Sequence, residues 1–134
     1  MTTQSLQLYK YGWRLFVFYN VTVTDLDIVL PALWENGCSN DGIREVAQAI
    51  IEPNAGFTHS NGRNSIMGIG WSDSQEEFIN TLVHEINHLH DDICFYYSLP
   101  YNGEIPSTIA GDIAMAMYNG FINYLEPCLD QYLV

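Results

Sequence analysis

The sequence predicts an α+β fold in which one compact domain, residues 1–134, is mainly helical and carries a small sheet packed against a central helix. Of its residues, 48% are hydrophobic, and a chain of this size and apolar content builds one core. Short runs rich in aromatic and β-branched residues are typical of strands. Longer runs, in which apolar residues recur every three or four positions, are typical of helices.

Turn formers and helix caps divide the chain into its elements. The first three predicted helices begin at Ser, Thr, Asn or Asp residues, which cap free backbone N–H groups. Pro31 implies a kink or a late start in the first helix. In chain order we predict a strand over residues 12–23, a helix from Thr24 to about Glu35, a helix begun by residues 39–41, a loop over residues 52–64, a strand over residues 65–71, a helix begun by residues 72–74 that ends near Cys94, and a last helix that holds Pro106 in its first turn and ends near Leu125.

The charge balance excludes some classes of partner. The chain has 16 acidic residues against 4 basic ones and a formal net charge of −12, so nucleic acids and anionic membrane surfaces repel it. Its longest apolar run, residues 109–117, is interrupted by Asp112 and is far shorter than the roughly 20 residues that span a bilayer. We therefore expect neither nucleic acid nor membrane as a partner.

The cysteines and the N-terminal residues predict a cytoplasmic protein. Cys38, Cys94 and Cys128 are odd in number and far apart, which fits free thiols in a reducing compartment. The N-terminal stretch MTTQSLQLYKYGWR lacks the basic region followed by an apolar region that marks a secretory signal.

The central helix carries three histidines in the stretch NTLVHEINHLHDD, residues 80–92. At about 100° per residue, its apolar residues share one face: Phe78, Ile79, Leu82, Ile86, Leu89 and Ile93. His84 and His88 lie one turn apart on roughly the opposite face, and Glu85 lies between the two faces. Two imidazoles at this spacing can bind one ion while the glutamate reaches the water beside it. This HExxH motif predicts one Zn²⁺ per chain, bound by His84 and His88.

A catalytic zinc site usually takes a third protein ligand. Glu104 is the favoured candidate, because the connector before the last helix is long enough to turn the chain back. Asp112 and His59 are the alternatives. Asp91 is a candidate to orient a ligand histidine by a hydrogen bond. His90 points away from both ligand histidines, so we expect it to pack or to face solvent.

The motif HEINH, followed by GEIPSTIAGDI, resembles the layout of gluzincin-type metallopeptidases. The run THSNGRNSIMGIGWSDSQEEFINTLVHEINHL is similar to small zincin-like proteins of bacteriophages and gut bacteria, over residues 13–121. The resemblance implies a minimal zincin-like domain and a metal-dependent hydrolase whose ligands are His84, His88 and Glu104. The residue that stabilises the oxyanion in larger zincins has no clear counterpart, and His59, Tyr101 and Tyr118 are the candidates.

The sequence thus predicts a zinc metallopeptidase that hydrolyses a peptide bond, with Glu85 as general base. The alternative is a metal-stabilised, non-catalytic protein that binds a virion or host component, because 134 residues leave little room for a second lobe. Without metal, His84 and His88 would form a pH-sensitive pair or a polar helix face. The expected partner is a peptide or protein substrate, and a second copy of the chain or a virion protein is a further candidate.

Two segments have competing interpretations. Residues 65–71 (SIMGIGW) could lie beside the site as an edge strand that holds an extended peptide, or could form an ordinary buried strand. Tyr96, Tyr97 and Tyr101 could rim a groove or a dimer interface, or could pack within the connector.

Overall fold

Residues 1–125 fold into four α-helices and one four-stranded sheet, which confirms the predicted α+β class. The structure, a computed structural model, describes residues 1–125 of the chain. In chain order its strands and helices are β1 (Thr2–Leu8), β2 (Trp13–Val21), α1 (Leu26–Glu35), α2 (Asn40–Ala49), β3 (Gly56–Asn61), β4 (Asn64–Gly70), α3 (Gln75–Tyr96) and α4 (Glu104–Phe121). The last helix ends at Phe121 rather than near Leu125, and Cys128 lies outside the described residues.

The strand order β1-β2-β4-β3 leaves β1 and β3 at the two edges of the sheet. β1 pairs antiparallel with β2, β3 pairs antiparallel with β4, and the central β2–β4 pair is parallel. Between β2 and β4 the chain passes through α1, α2 and β3. This route supplies the long crossover that two parallel strands require.

One sequence prediction about the sheet is wrong, because residues 52–64, predicted to form a loop, contain β3. Of the two interpretations of residues 65–71, the buried strand is confirmed and the edge strand is wrong, since these residues contain most of the interior strand β4. The interior position explains why every residue from Ser65 to Gly70 is buried. β1, which pairs along its whole length with β2, was not predicted from the sequence.

Helices cover both faces of the sheet. On one face, alternate residues of β2 join the apolar sides of α3 and α4: Trp13, Leu15, Val17 and Tyr19. On the other face, Phe18 of β2 and Phe57 of β3 pack with α1 and α2. Because side chains along a strand alternate between faces, β2 contributes to both cores.

A chain of hydrogen bonds connects α3 to the sheet. Trp13 Nε1 donates to Ser65 Oγ at 2.8 Å, and the hydroxyls of Ser65 and Ser60 are 2.6 Å apart. Ser60 Oγ also donates to Asp92 Oδ2 of α3 at 2.6 Å. The helix begins after Ser74, whose side chain caps it as predicted. These bonds fix how α3 is rotated against β3 and β4, and so where its histidines lie.

None of the helices within residues 1–125 is long and apolar enough to cross a membrane. Cys38 and Cys94 are buried free thiols. They belong to the cores on opposite faces of the sheet, so the fold keeps them apart.

Candidate metal centre

His84, Glu85 and His88 form a compact group on α3. Each offers one ligand atom, and these atoms lie within 4.8 Å of one another. The two imidazole Nε2 atoms are 3.0 Å apart, close to the about 3.3 Å that two nitrogens span around a tetrahedral zinc ion. Both rings are exposed, whereas Glu85 is 2% exposed. The donor set and its spacing fit a zinc ion, with the imidazoles open to the solvent.

The Glu85 carboxylate is held against the edge strand β3. Thr58 Oγ1 donates to Glu85 Oε1 at 2.8 Å, and the same hydroxyl lies 3.4 Å from the backbone oxygen of Glu85. Gly56 provides the space, because a Cβ at that position would lie 2.7 Å from Glu85 Oε2. The local sequence of β3 therefore places a small residue and a hydroxyl donor opposite the carboxylate.

The environment of Glu85 suits its carboxylate to accept and release a proton. Burial raises the pKa of its carboxyl above the ordinary value, whereas the hydrogen bond from Thr58 and the neighbouring His88 and His84 lower it. The net shift is upward. A carboxylate with a raised pKa is a stronger base near neutral pH than an exposed glutamate.

A groove of about 330 Å³ opens in front of this group. α3 contributes His84, Glu85 and His88 to one side, and β3 contributes residues 56–59 to the floor. The opposite side comes from the end of α1 and from α2, including the exposed Glu45. The groove therefore lies at the edge of the sheet, between α3, β3 and α2.

None of the three predicted candidates for a third ligand belongs to the cluster of ligand atoms within the described part of the chain. Asp112 accepts hydrogen bonds from Tyr11 (2.5 Å) and Lys10 (3.4 Å) in a different part of the surface. Glu104 is the exposed first residue of α4. Its role as a metal ligand stays a prediction.

His59 lies in the floor of the groove. Its Nδ1 is 3.1 Å from Asn36 Nδ2. Because the amide nitrogen donates, Nδ1 accepts, which leaves Nε2 to carry the proton. Burial lowers the pKa of His59, and the charge of Asp92 acts in the opposite direction. His59 is therefore a neutral imidazole near the site, outside the cluster formed by α3.

The proposed role of Asp91 in orienting a ligand histidine is wrong. Its Oδ1 lies 2.8 Å from Nδ1 of the adjacent His90, so its carboxylate is engaged away from the ligand pair. His90 is 9% exposed and its Nε2 lies 3.7 Å from Cys94 Sγ, which makes it a packing residue. Tyr96 and Tyr97 pack against Trp13 and do not line the groove.

His84, Glu85 and His88 were predicted from the sequence, whereas Gly56, Thr58 and the α2 side of the groove were not. Residues 56–61 (GFTHSN) have one large apolar side chain, Phe57, and turn formers flank them, so no local pattern marks β3 as a strand.

Comparison with known proteins finds no matching family model, no matching curated protein and no matching solved structure. The resemblance to zincin-like metallopeptidases therefore depends on the quoted motifs and remains a prediction.

Proposed function

We propose that the protein is a zinc-dependent metallopeptidase that hydrolyses a peptide bond, with Glu85 as general base. One observation carries the proposal: a buried carboxylate, fixed by Thr58, lies beside two exposed imidazoles whose Nε2 atoms are 3.0 Å apart. A site that only stabilises the fold has no need of a buried base next to its ligands.

The roles of the residues follow from their positions. His84 and His88 would hold the zinc ion, and Glu104 is the proposed third ligand. A bound zinc ion supplies Lewis-acid activation of a water molecule and of the substrate carbonyl. Glu85 accepts a proton from the attacking water and returns it to the leaving nitrogen. The hydrogen bond from Thr58 to Oε1 would hold the carboxylate in one orientation for this proton transfer.

The free edge of β3 supplies a place for the substrate backbone. β3 pairs with β4 on one side only, and an extended peptide can add to such an edge through main-chain hydrogen bonds. A peptide in this position runs through the groove beside Glu85. This role was one of two interpretations of residues 65–71; because β4 is interior and β3 lies at the edge, we propose it for β3 instead.

The test is the Glu85→Gln variant, which keeps the size of the side chain but removes the base. We expect the same zinc content as the wild type and a drop in peptide turnover of about 10²- to 10⁴-fold, the usual contribution of a general base. Glu76→Gln is the matched control, because Glu76 is an exposed acid on the same helix and its variant should keep full turnover. Unchanged turnover in Glu85→Gln would exclude this mechanism.

A second candidate is a zincin-fold protein that uses the ion for stability and acts by binding a virion or host component. It is favoured by the small donor set: within residues 1–125 only Glu85 joins His84 and His88 in the cluster, which would leave positions on a bound ion open to a side chain of the partner. This alternative predicts that zinc raises the Tm of the wild type while no peptide is cleaved. Both candidate functions include a bound zinc ion, and only the peptidase predicts that a peptide is cleaved.

A further inference from the structure

The two edges of the sheet have different surroundings. β3 forms one edge and lies in the groove between α3 and α2. β1 forms the other edge and pairs with β2 on one side only. Within residues 1–125, no backbone group outside β2 hydrogen-bonds to the backbone of residues 2–8. The outward row of N–H and C=O groups of β1 is therefore available to another strand.

β1 lacks the features that keep natural edge strands from pairing. Such edges are usually interrupted by a proline or a β-bulge, or they carry charged side chains. Residues 2–8 (TTQSLQL) contain no proline, no glycine and no charged residue. The whole strand pairs with β2 in one uninterrupted register, from Thr2 opposite Tyr19 to Leu8 opposite Trp13. The free edge is thus regular and uncharged along its length.

The side chains of β1 alternate between a face that α4 covers and a face that is open. Gln4 points towards α4, where a Cβ atom on Gly120 would lie 2.1 Å from Gln4 Oε1. Thr3, Ser5 and Gln7 point to the opposite face. They are exposed and border a trough of about 700 Å³ between β1 and α1. Three small or uncharged polar side chains are therefore accessible next to the free edge.

The charge distribution lets two copies of the chain meet at this edge. Each copy has a net charge of −12, so most of their surfaces repel each other. The first nine residues carry no charged side chain. Asp112 of α4 borders the same small pocket as Gln7 and Leu8, and Lys10 lies 3.4 Å from its carboxylate. The acid beside β1 is thus matched by a base.

We propose that two copies of the chain form a dimer in which β1 pairs antiparallel with β1 of the second copy, about a two-fold axis at Ser5. This register pairs all seven residues of the strand. It sets Ser5 opposite Ser5 of the second copy and Thr3 opposite Gln7, so polar side chains meet on the open face and can hydrogen-bond. On the other face, Leu6 of one copy is the diagonal neighbour of Leu6 of the other. The strand is therefore complementary to itself, as a two-fold interface requires.

α4 supplies a second contact between the two copies. Ala116 borders the same pocket as Leu8, and Met115 and Asn119 follow on the side of α4 that turns away from the core. Both are exposed, Met115 by 73%. Because the two-fold axis is perpendicular to the joined sheet, both copies of α4 lie on the same face, side by side. The dimer then covers Met115, and this apolar burial adds to the main-chain hydrogen bonds.

The dimer leaves the candidate metal centre accessible, because β3 and its groove lie at the opposite edge of the sheet. The inference is therefore independent of the proposed function. It holds or fails whether or not the protein binds zinc or cleaves a peptide.

The first experiment is sedimentation velocity of the wild type, Ser5→Lys, Ser5→Glu and an equimolar mixture of the two variants. Ser5 is exposed, so both variants should fold, and far-UV circular dichroism checks this. Like charges directly opposite each other destabilise a strand pair, whereas opposite charges stabilise it. Gln48→Lys and Gln48→Glu are the matched controls, because they make the same charge changes at an exposed position of α2.

We expect the wild type to be a dimer and each Ser5 variant to raise the Kd of the dimer at least about tenfold, because two like charges meet at the axis. The mixture should regain a Kd near that of the wild type, as a heterodimer with Lys opposite Glu. Both Gln48 variants should match the wild type. A monomeric wild type, a Ser5→Lys variant that dimerises as tightly as the wild type, or a mixture no tighter than either variant alone would overturn the proposal.

The second experiment locates the interface by amide hydrogen exchange at low and high protein concentration, followed by NMR. We expect the outward amides of residues 3–7 to exchange more slowly in the wild type as its concentration rises. In Ser5→Lys they should exchange fast at both concentrations. Exchange of these amides that does not change with wild-type concentration would overturn the proposal, because it would mean that the copies meet elsewhere or that another segment of the same chain covers the edge.

Discussion

Thr58 Oγ1 and Glu85 Oε1 are 2.8 Å apart and join the edge strand β3 to the HExxH helix. The two residues are 27 positions apart in the chain. The bond holds a carboxylate that is 2% exposed in one orientation beside His84 and His88. Leaving a buried acceptor without such a donor destabilises the folded protein by about 1–3 kcal/mol. Thr58 therefore stabilises the fold and also orients the proposed base.

Replacing Thr58 by Val should impair turnover without loss of metal. Valine has a similar shape but no hydroxyl, so the Glu85 carboxylate loses the donor that orients it. We expect kcat to fall about 10- to 100-fold, the usual effect of losing a partner that orients a site, with zinc content unchanged by elemental mass spectrometry. Thr58→Ser retains the hydroxyl and should keep most of the turnover. Equal kcat for the Val and Ser variants would contradict this role.

Asp112 should stabilise the protein in a pH-dependent manner. The hydrogen bond from Tyr11, followed by the charge of Lys10, lowers the pKa of its carboxyl below the ordinary value of 3.8. The ionised form therefore favours the folded state at pH above 3.8, and this stabilisation is lost as the pH falls through the lowered pKa. We expect Asp112→Asn to have a lower Tm than the wild type at pH 7 and the difference to shrink towards pH 2.

The measurement is Tm against pH for both proteins. Glu52→Gln serves as control, because it removes one negative charge at an exposed position. A Tm difference for Asp112→Asn that is the same at pH 7 and at pH 2 would refute the assignment of the stabilisation to the ionised carboxyl.

Two glycines of α4 should respond in opposite ways to replacement by alanine. Gly111 is exposed and nothing lies within 4 Å of an added Cβ, so Gly111→Ala should stabilise by about 0.5–1 kcal/mol. At Gly120 the added Cβ would lie 2.1 Å from Gln4 Oε1 and 2.8 Å from Tyr19 Cε2. Gly120→Ala should destabilise by about 1–3 kcal/mol, since it displaces the Gln4 side chain that accepts from Tyr19.

Urea unfolding of the wild type and the two variants measures both changes in the free energy of unfolding. If Gly120→Ala were as stable as Gly111→Ala, α4 would not pack against β1 and β2 as described.

The helical part of the fold could be predicted from the sequence because its signals repeat locally. α3 has a Ser74 cap and an apolar residue on each turn, and a spacing of four residues from His84 to His88 suffices to place both on one face. β3 has six residues, and turn formers flank it. β1 pairs with β2, the next strand in the chain, but its sequence TTQSLQL has only two apolar residues, Leu6 and Leu8, so its strand signal is weak.

The groove depends on the order of the strands rather than on local pattern. That order places β3 beside α3, so Thr58 meets Glu85 and Val46 lies across the edge from His84. Asp112 was a candidate third ligand and Asp91 a candidate to orient a ligand histidine, and both were chosen from their positions along a helix. Each instead binds a neighbour that spacing did not reveal, namely Tyr11 and His90.

The central claim, that His84 and His88 bind one zinc ion, is tested most directly by elemental mass spectrometry on the purified wild type, His88→Ala and His90→Gln. We predict about one zinc per chain in the wild type, retention in His90→Gln and loss in His88→Ala, because His90 packs beside Cys94 and lies outside the ligand cluster. A wild type that binds no zinc even when zinc is supplied, or a His88→Ala variant that keeps it, would contradict the account.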